Sequence, residues 1–414
     1  MFIKKAVSLF LCLSLVLSLT GCAGKRPKIE PVDGWYAAWA AAPSDADLAQ
    51  VPRAPTLRGN TCRQQIRASI GGEKLKLTFS NEYSSEKLVL DSVHIAQLVG
   101  SGSPMIDTST DTVITFDGKE SVTIPAGKTV TSDEISFSFE ALDCLAVTTK
   151  FGSQTPSYPT CHRDAGCTTW VVEGDHVSDE TFSSMELMSS YYYLCRMDTW
   201  APAGTEVVVC FGDSITDGAC STYNGFNSYP DNLAKLMQSN PETKNISVIN
   251  TGIGGNAFYG GVGDKAAERF VRDALEIPGV YHVIILIGIN DLPGAQYDTS
   301  EELISEYKDM IKACHERGIS IYAGTITPFE GNDIFYSQLH EQIRQKVNEF
   351  ILDPSSGFDG VVDFSNVLCY LENPSKMQTV YDSGDGLHPN ANGYDVMAKA
   401  ANEMLRETWA KEQK

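Results

Sequence analysis

Four short blocks in the second half of the chain hold the side-chain types that nucleophilic attack on a carbonyl carbon requires. The first is Gly212-Asp213-Ser214-Ile215-Thr216-Asp217-Gly218, directly after an apolar run. A serine at a strand-to-helix turn is exposed at the sheet edge and faces the positive end of a helix dipole, which favours an alkoxide and a neighbouring oxyanion. Turns and N-caps use the same residues, so alone the block fits a nucleophile and a plain turn equally. It is not a GxSxG elbow, because Thr216 stands two beyond Ser214 and Gly212 directly precedes Asp213. The second block, Asn250-Thr251-Gly252-Ile253-Gly254-Gly255-Asn256, places three glycines within four residues. Such a backbone can approach a ligand closely enough for an N–H to meet a developing negative charge, although a flexible loop has the same composition. In the third, Gly288-Ile289-Asn290-Asp291, the amide can donate to the same oxyanion or close an Asx turn. Gly331-Asn332-Asp333 has a similar composition but does not directly follow a strand.

The fourth block is Asp382-Ser383-Gly384-Asp385-Gly386-Leu387-His388-Pro389-Asn390. An aspartate three residues before a histidine can fold back onto its Nδ1–H, leaving Nε2 free to take a proton from serine. Asp91 and His94 have the same spacing inside a β-rich stretch, where they read as structural. Only His388 belongs to the half of the chain that holds the other blocks.

Placing these blocks together requires two kinds of element. From 205 onward, near-continuous apolar runs at 207–211, 246–249, 283–287, 319–323 and 361–364 read as parallel strands covered on both faces. Helices fall between them: Leu303, Ile304, Tyr307, Met310, Ile311 and Cys314 recur at three- and four-residue steps before Gly318, and Tyr394, Met397, Ala400, Met404 and Leu405 repeat the pattern. This alternation predicts a doubly wound α/β domain over 204–414, with its ligand site outside the carboxyl ends of the strands. Residues 34–203 instead read as short strands, at 74–80, 112–116, 122–125 and 135–139, with almost no helical periodicity, predicting an all-β sandwich of jelly-roll type. Residues 200–204 (WAPAG) form the linker.

In this order, after successive strands, the four blocks resemble those of the SGNH (GDSL) hydrolases, over roughly 207–405. The 35–39 (WYAAW), 214–218 and 382–385 stretches and Gly255-Asn256 further resemble a two-domain branch of acylhydrolases and arylesterases associated with xylan degradation. The resemblance implies a five-stranded SGNH-type sheet and a serine esterase. Ser214 would be the nucleophile and, through its N–H, an oxyanion donor. Gly255 would give a second N–H, with Gly254 as the alternative, and Asn290 a side-chain donor. His388 would be the base and Asp385 its orienter, with Asp213 and Asp291 as structural carboxylates. No cofactor and no metal is implied. The expected reaction removes small acyl groups, acetyl first, from a small molecule or a polysaccharide such as xylan. An aryl or lipid acylhydrolase with the same residues, and a non-catalytic surface carbohydrate-binding protein, are the alternatives.

The rest of the sequence narrows the setting. The chain has 414 residues, 42% hydrophobic and 21% charged, enough for a large core. Its 53 acidic residues against 32 basic ones give a net charge of −21, which argues against nucleic acid and against electrostatic membrane binding. Lys4 and Lys5 precede an apolar run over 6–19, too short to span a bilayer, that ends in Leu19-Thr20-Gly21-Cys22. This layout resembles the lipobox of bacterial lipoproteins, so 1–21 reads as a signal peptide, Cys22 as the lipid anchor and 22–33 as a tether. The expected location is the cell surface or the periplasmic face of a membrane. Nine of the 11 cysteines lie beyond Cys22, an odd number; Cys161 and Cys167 are close enough to close a small loop, as a disulfide or as two thiols. No CxxC pair or His-rich tract suggests zinc, and the seven histidines show no ligand spacing, which weakens a metal-dependent deacetylase. His162 reads as an exposed structural histidine, and Trp170, Tyr191, Tyr192, Tyr193 and Trp200 as core aromatics rather than sugar platforms.

Overall fold

The computed structural model describes residues 27–412, so the proposed leader, the anchor at Cys22 and the start of the tether lie outside the described residues. The α/β half is a five-stranded parallel sheet: β1 (Glu206–Gly212), β2 (Ile246–Asn250), β3 (Val280–Leu286), β4 (Ser320–Gly324) and β5 (Gly360–Val362). They lie in the order β2-β1-β3-β4-β5. The strands are short and apolar because both faces are covered; every residue of β1 after Glu206 is buried. The chain steps from β1 to β2 on one side and then continues through β3 to β5 on the other. With right-handed crossovers, this reversal puts α2 (Tyr229–Ser239) and α4 (Thr299–His315) on opposite faces and opens a crevice at the carboxyl end of β1. The last helix, Ala391–Glu412, packs on α2, and Gln338–Leu352 packs on α4.

The N-terminal region is β-rich. One antiparallel sheet runs Gly34–Ala40, Leu194–Ala201, Gly72–Ser80, Thr129–Thr131, with Ile135–Phe139 on the third strand. A second runs Glu186–Met188, Thr169–Val172, Thr61–Arg67, Cys144–Phe151, Leu88–Gln97, Thr112–Ile114, with Val122–Ile124 beside the fifth. Leu75, Leu77 and Phe79 of the first and Ile66, Val93, Ile95 and Val147 of the second share one core, which continues into the α/β half. Trp170, Tyr191, Tyr192 and Tyr193 are buried in this region, whereas Trp200 is half exposed and meets Trp35 edge to face. Among the described residues no helix is long and apolar enough to cross a membrane.

The two regions are joined along β2, an edge strand. Val248 N–H donates to Ser69 Oγ at 2.6 Å and Ser247 Oγ donates to the Ala37 carbonyl at 2.7 Å. Cys161 and Cys167 both remain thiols. The Cys161–Cys167 bridge does not form: Cys161 Sγ turns to the Asp45 carbonyl and Cys167 Sγ to Tyr191 Oη. His162, expected at the surface, is buried.

Candidate active site

Ser214 opens α1, a four-residue helix (Ser214–Asp217) directly after β1. Asp213 caps it, its carboxylate accepting the Ile215 N–H at 3.0 Å, and Gly218 ends it at φ +109°. Four residues make too short a helix for the dipole expected from the sequence, so individual N–H groups must supply the local field. Burial pushes the Asp213 carboxyl up to about 7, against the lowering effect of the Ile215 N–H.

The loop after β5 brings the base to the serine. Ser214 Oγ lies 2.9 Å from His388 Nε2, and His388 Nδ1 lies 2.6 Å from Asp385 Oδ2. Asp385 Oδ1 also accepts the backbone N–H of Leu387 and His388, at 2.9 and 2.8 Å. The turn itself is tied by Asp382, whose Oδ1 accepts from Gly384 and Gly386. Partial burial would raise the Asp385 carboxyl, but the hydrogen bonds from His388 and Leu387 outweigh it and hold the group below its ordinary range. An ionised Asp385 fixes the Nδ1–H tautomer and leaves Nε2 facing the hydroxyl.

The glycine loop packs directly on α1. Ile253 N–H donates to the Gly212 carbonyl at 3.1 Å, and Gly254 N–H donates to Asp217 Oδ2 at 2.9 Å. Gly254 has therefore committed its N–H, while that of Gly255, at φ +76°, has no protein partner among the described residues. This distinguishes the two glycines that the sequence left open. Asn290 Nδ2 donates to the Asn256 carbonyl at 2.9 Å, so one amide hydrogen anchors the side chain beside Gly255 and the other is left over. Asp291 accepts from Phe258 and Tyr259 N–H, both at 3.1 Å, and holds the following loop.

Three positioning elements were not read from the sequence. Arg269, fully buried, donates to the Gly212 carbonyl at 2.7 Å, to the Thr251 carbonyl at 2.8 Å and to Asn256 Oδ1 at 2.9 Å, tying the serine and glycine loops at their roots. Asn332 Nδ2 donates to the Asp385 carbonyl at 2.9 Å, and Gly331 lies so close to Gly386 that a Cβ on the latter would stand 2.6 Å from it. The Gly331-Asn332 pair, set aside in the sequence, thus braces the base-bearing turn. His162 reaches Asp217 from the β-rich region, with Nε2 3.0 Å from Oδ1. Cys220, Asp385 and His388 offer three ligand atoms within 4.8 Å of one another, but the Asp385 carboxylate and the His388 ring are already engaged with each other and with Ser214.

Residues 210–396 match the model of the GDSL-like Lipase/Acylhydrolase family, and the α/β half has the GDSL/SGNH hydrolase fold. Similar solved structures include a GDSL-like lipase from Bacteroides thetaiotaomicron VPI-5482, with 18% identity over 48% of this chain and 87% of that one and a TM-score of 0.38. The lipase/acylhydrolase from Enterococcus faecalis matches at 18% identity over 48% and 94%, TM-score 0.38. A catalytic mutant of an acetylxylan esterase from Geobacillus stearothermophilus matches at 23% over 49% and 94%, TM-score 0.36. No curated protein matches the sequence.

Proposed function

We propose that the protein is a serine esterase that removes small acyl groups, acetyl first, from hydroxyl-rich substrates such as acetylated xylan, through an acyl-enzyme. The observation that carries this reading is the unbroken hydrogen-bond path from Ser214 Oγ through His388 to Asp385. His388 takes the serine proton as Oγ bonds to the ester carbonyl carbon, and the carbonyl electron pair moves onto its oxygen. Donors at the Ser214 and Gly255 N–H groups and the Asn290 amide hold that oxyanion. Collapse expels the alcohol with the proton from His388, and water repeats the sequence to release the acid.

The preference for a polar leaving group is supported by the cleft of about 500 Å³ beside Asn290. Gln296, Asp298, Thr299 and Glu302 line it with hydrogen-bonding groups, beside Ala257 and the Tyr259 ring. The same proposal takes the β-rich region as a jelly-roll-like sandwich and places the protein outside the cytoplasm, held by lipid on Cys22. Steady-state hydrolysis of an aryl acetate tests the chemistry: Ser214→Ala abolishes it, and equal activity in that variant would overturn the mechanism. Acetylated xylan set against long-chain esters tests the substrate, since preference for the long chains would replace the carbohydrate reading with a lipid one.

A further inference from the structure

His162 belongs to the β-rich region, yet its ring is seated against α1. Nδ1 lies 3.0 Å from the Ala42 carbonyl oxygen, which can only accept, so Nδ1 carries a hydrogen. Nε2 lies 3.0 Å from Asp217 Oδ1, so donation there as well makes the ring an imidazolium facing a carboxylate. Both side chains are more than nine-tenths buried. Tyr191, itself packed edge to face on Trp39, lies tilted beside the imidazole ring and limits its rotation.

The second carboxylate oxygen of Asp217 accepts the Gly254 N–H. The path therefore runs from the Ala42 carbonyl through His162 and Asp217 to the Gly254 amide, and ends one residue before the N–H of Gly255. The Asn250 side chain stiffens the same junction, donating to the Thr216 and Asp217 carbonyls and accepting from Gly252. An unpartnered carboxylate at Asp217 would be buried at high cost, and it would be relieved by protonation or by movement of α1. Either change alters the acceptor that holds the Ile253–Gly254 peptide, the neighbour of the peptide that carries the Gly255 N–H.

From this we infer that His162 is a positioning residue for acyl transfer: the β-rich region supplies the donor and charge that hold Asp217, and through Asp217 the Ile253–Gly254 peptide, which adjoins the peptide that carries the Gly255 N–H. The inference rests on the reading of Ser214 as nucleophile. It gives the β-rich region a part in the chemistry without any contact to substrate.

Kinetics on an aryl acetate test it in the full chain. Wild type active and Ser214→Ala inactive first establishes the underlying reading; an inactive wild type would sink that reading rather than this one. His162→Ala and Asp217→Ala are then expected to lower kcat by roughly ten- to a hundredfold, as small misplacements of reacting groups do, with KM within twofold. The conservative variants recover part of the loss. His162→Gln keeps a donor toward Asp217, and Asp217→Asn can keep an acceptor toward Gly254 while leaving His162 neutral. Circular dichroism identifies folded variants, and should His162→Ala fail to fold, the contrast between Asp217→Ala and Asp217→Asn carries the test. Folded alanine variants with kcat within twofold of wild type, or a loss confined to KM, would overturn the assignment.

Discussion

At the scale of single residues, Asn290 separates chemistry from structure most directly. One hydrogen of its amide is held by the Asn256 carbonyl, which fixes the orientation of the group. Losing one oxyanion donor typically costs about 2.7 to 4 kcal/mol, so Asn290→Ala should lower kcat by roughly a hundred- to a thousandfold. Steady-state kinetics on an aryl acetate check this, and an intact kcat with a raised KM would remove Asn290 from the oxyanion site. Residue types and spacing made much of the site legible, provided the local backbone was also considered. Asp91 and His94 share the spacing of Asp385 and His388, but they lie in the strand Leu88–Gln97, whose extended backbone holds residues three apart away from each other. His94 pairs with Asp111 instead. Asp385 and His388 lie in a turn, which folds the carboxylate back onto the ring. Arg269 and Asn332 escaped notice because the loops they brace are held through backbone carbonyls, and carbonyls leave no mark in a sequence.

Among the elements, the parallel strands and long helices were legible because burial imposes a period on their residues. In α4 the buried set Leu303, Tyr307, Met310, Ile311 and Cys314 follows the three- and four-residue steps read from the sequence. The shortest elements were not legible: the strand Cys161–His162 has two residues, too few for any period, and it carries the histidine that reaches Asp217. Close approach of elements explains one glycine of the catalytic loop. A Cβ on Gly252 would collide with the backbone nitrogen of Asp217, so loop and α1 touch without side chains between them. Overpacking of this kind costs about 1 to 3 kcal/mol. Gly252→Ala should therefore lower stability by about that much in denaturant melts and lower kcat at least tenfold, because loop and helix must part. Wild-type stability and rate would show that the contact is dispensable.

For the molecule as a whole, the junction between its regions should respond to pH. Burial alone would pull His162 down, but Asp217, through charge and hydrogen bond, with the Ala42 carbonyl and the charge of Asp164, pushes it up to about 9. An unfolded histidine titrates near 6.5, so the stabilisation is fully present below about pH 6.5 and is lost as pH rises through about 9. Thermal melts of wild type should fall between pH 6.5 and 9.5 more steeply than those of His162→Gln, with the difference between the two curves removing groups common to both. Parallel curves would show that His162 is not charged in the folded protein.

The seam along β2 bears on how the chain is made. An uncovered outer strand offers unpaired N–H and C=O groups to any passing polypeptide and so invites aggregation. Here Ser69 occupies the Val248 N–H and the Ala37 carbonyl holds the Ser247 side chain, and both residues precede β2 by well over a hundred residues. During synthesis from the N-terminus, this guard leaves the ribosome before the strand it protects. The order of the two regions along the chain thus has the covering segment made before the strand that it covers.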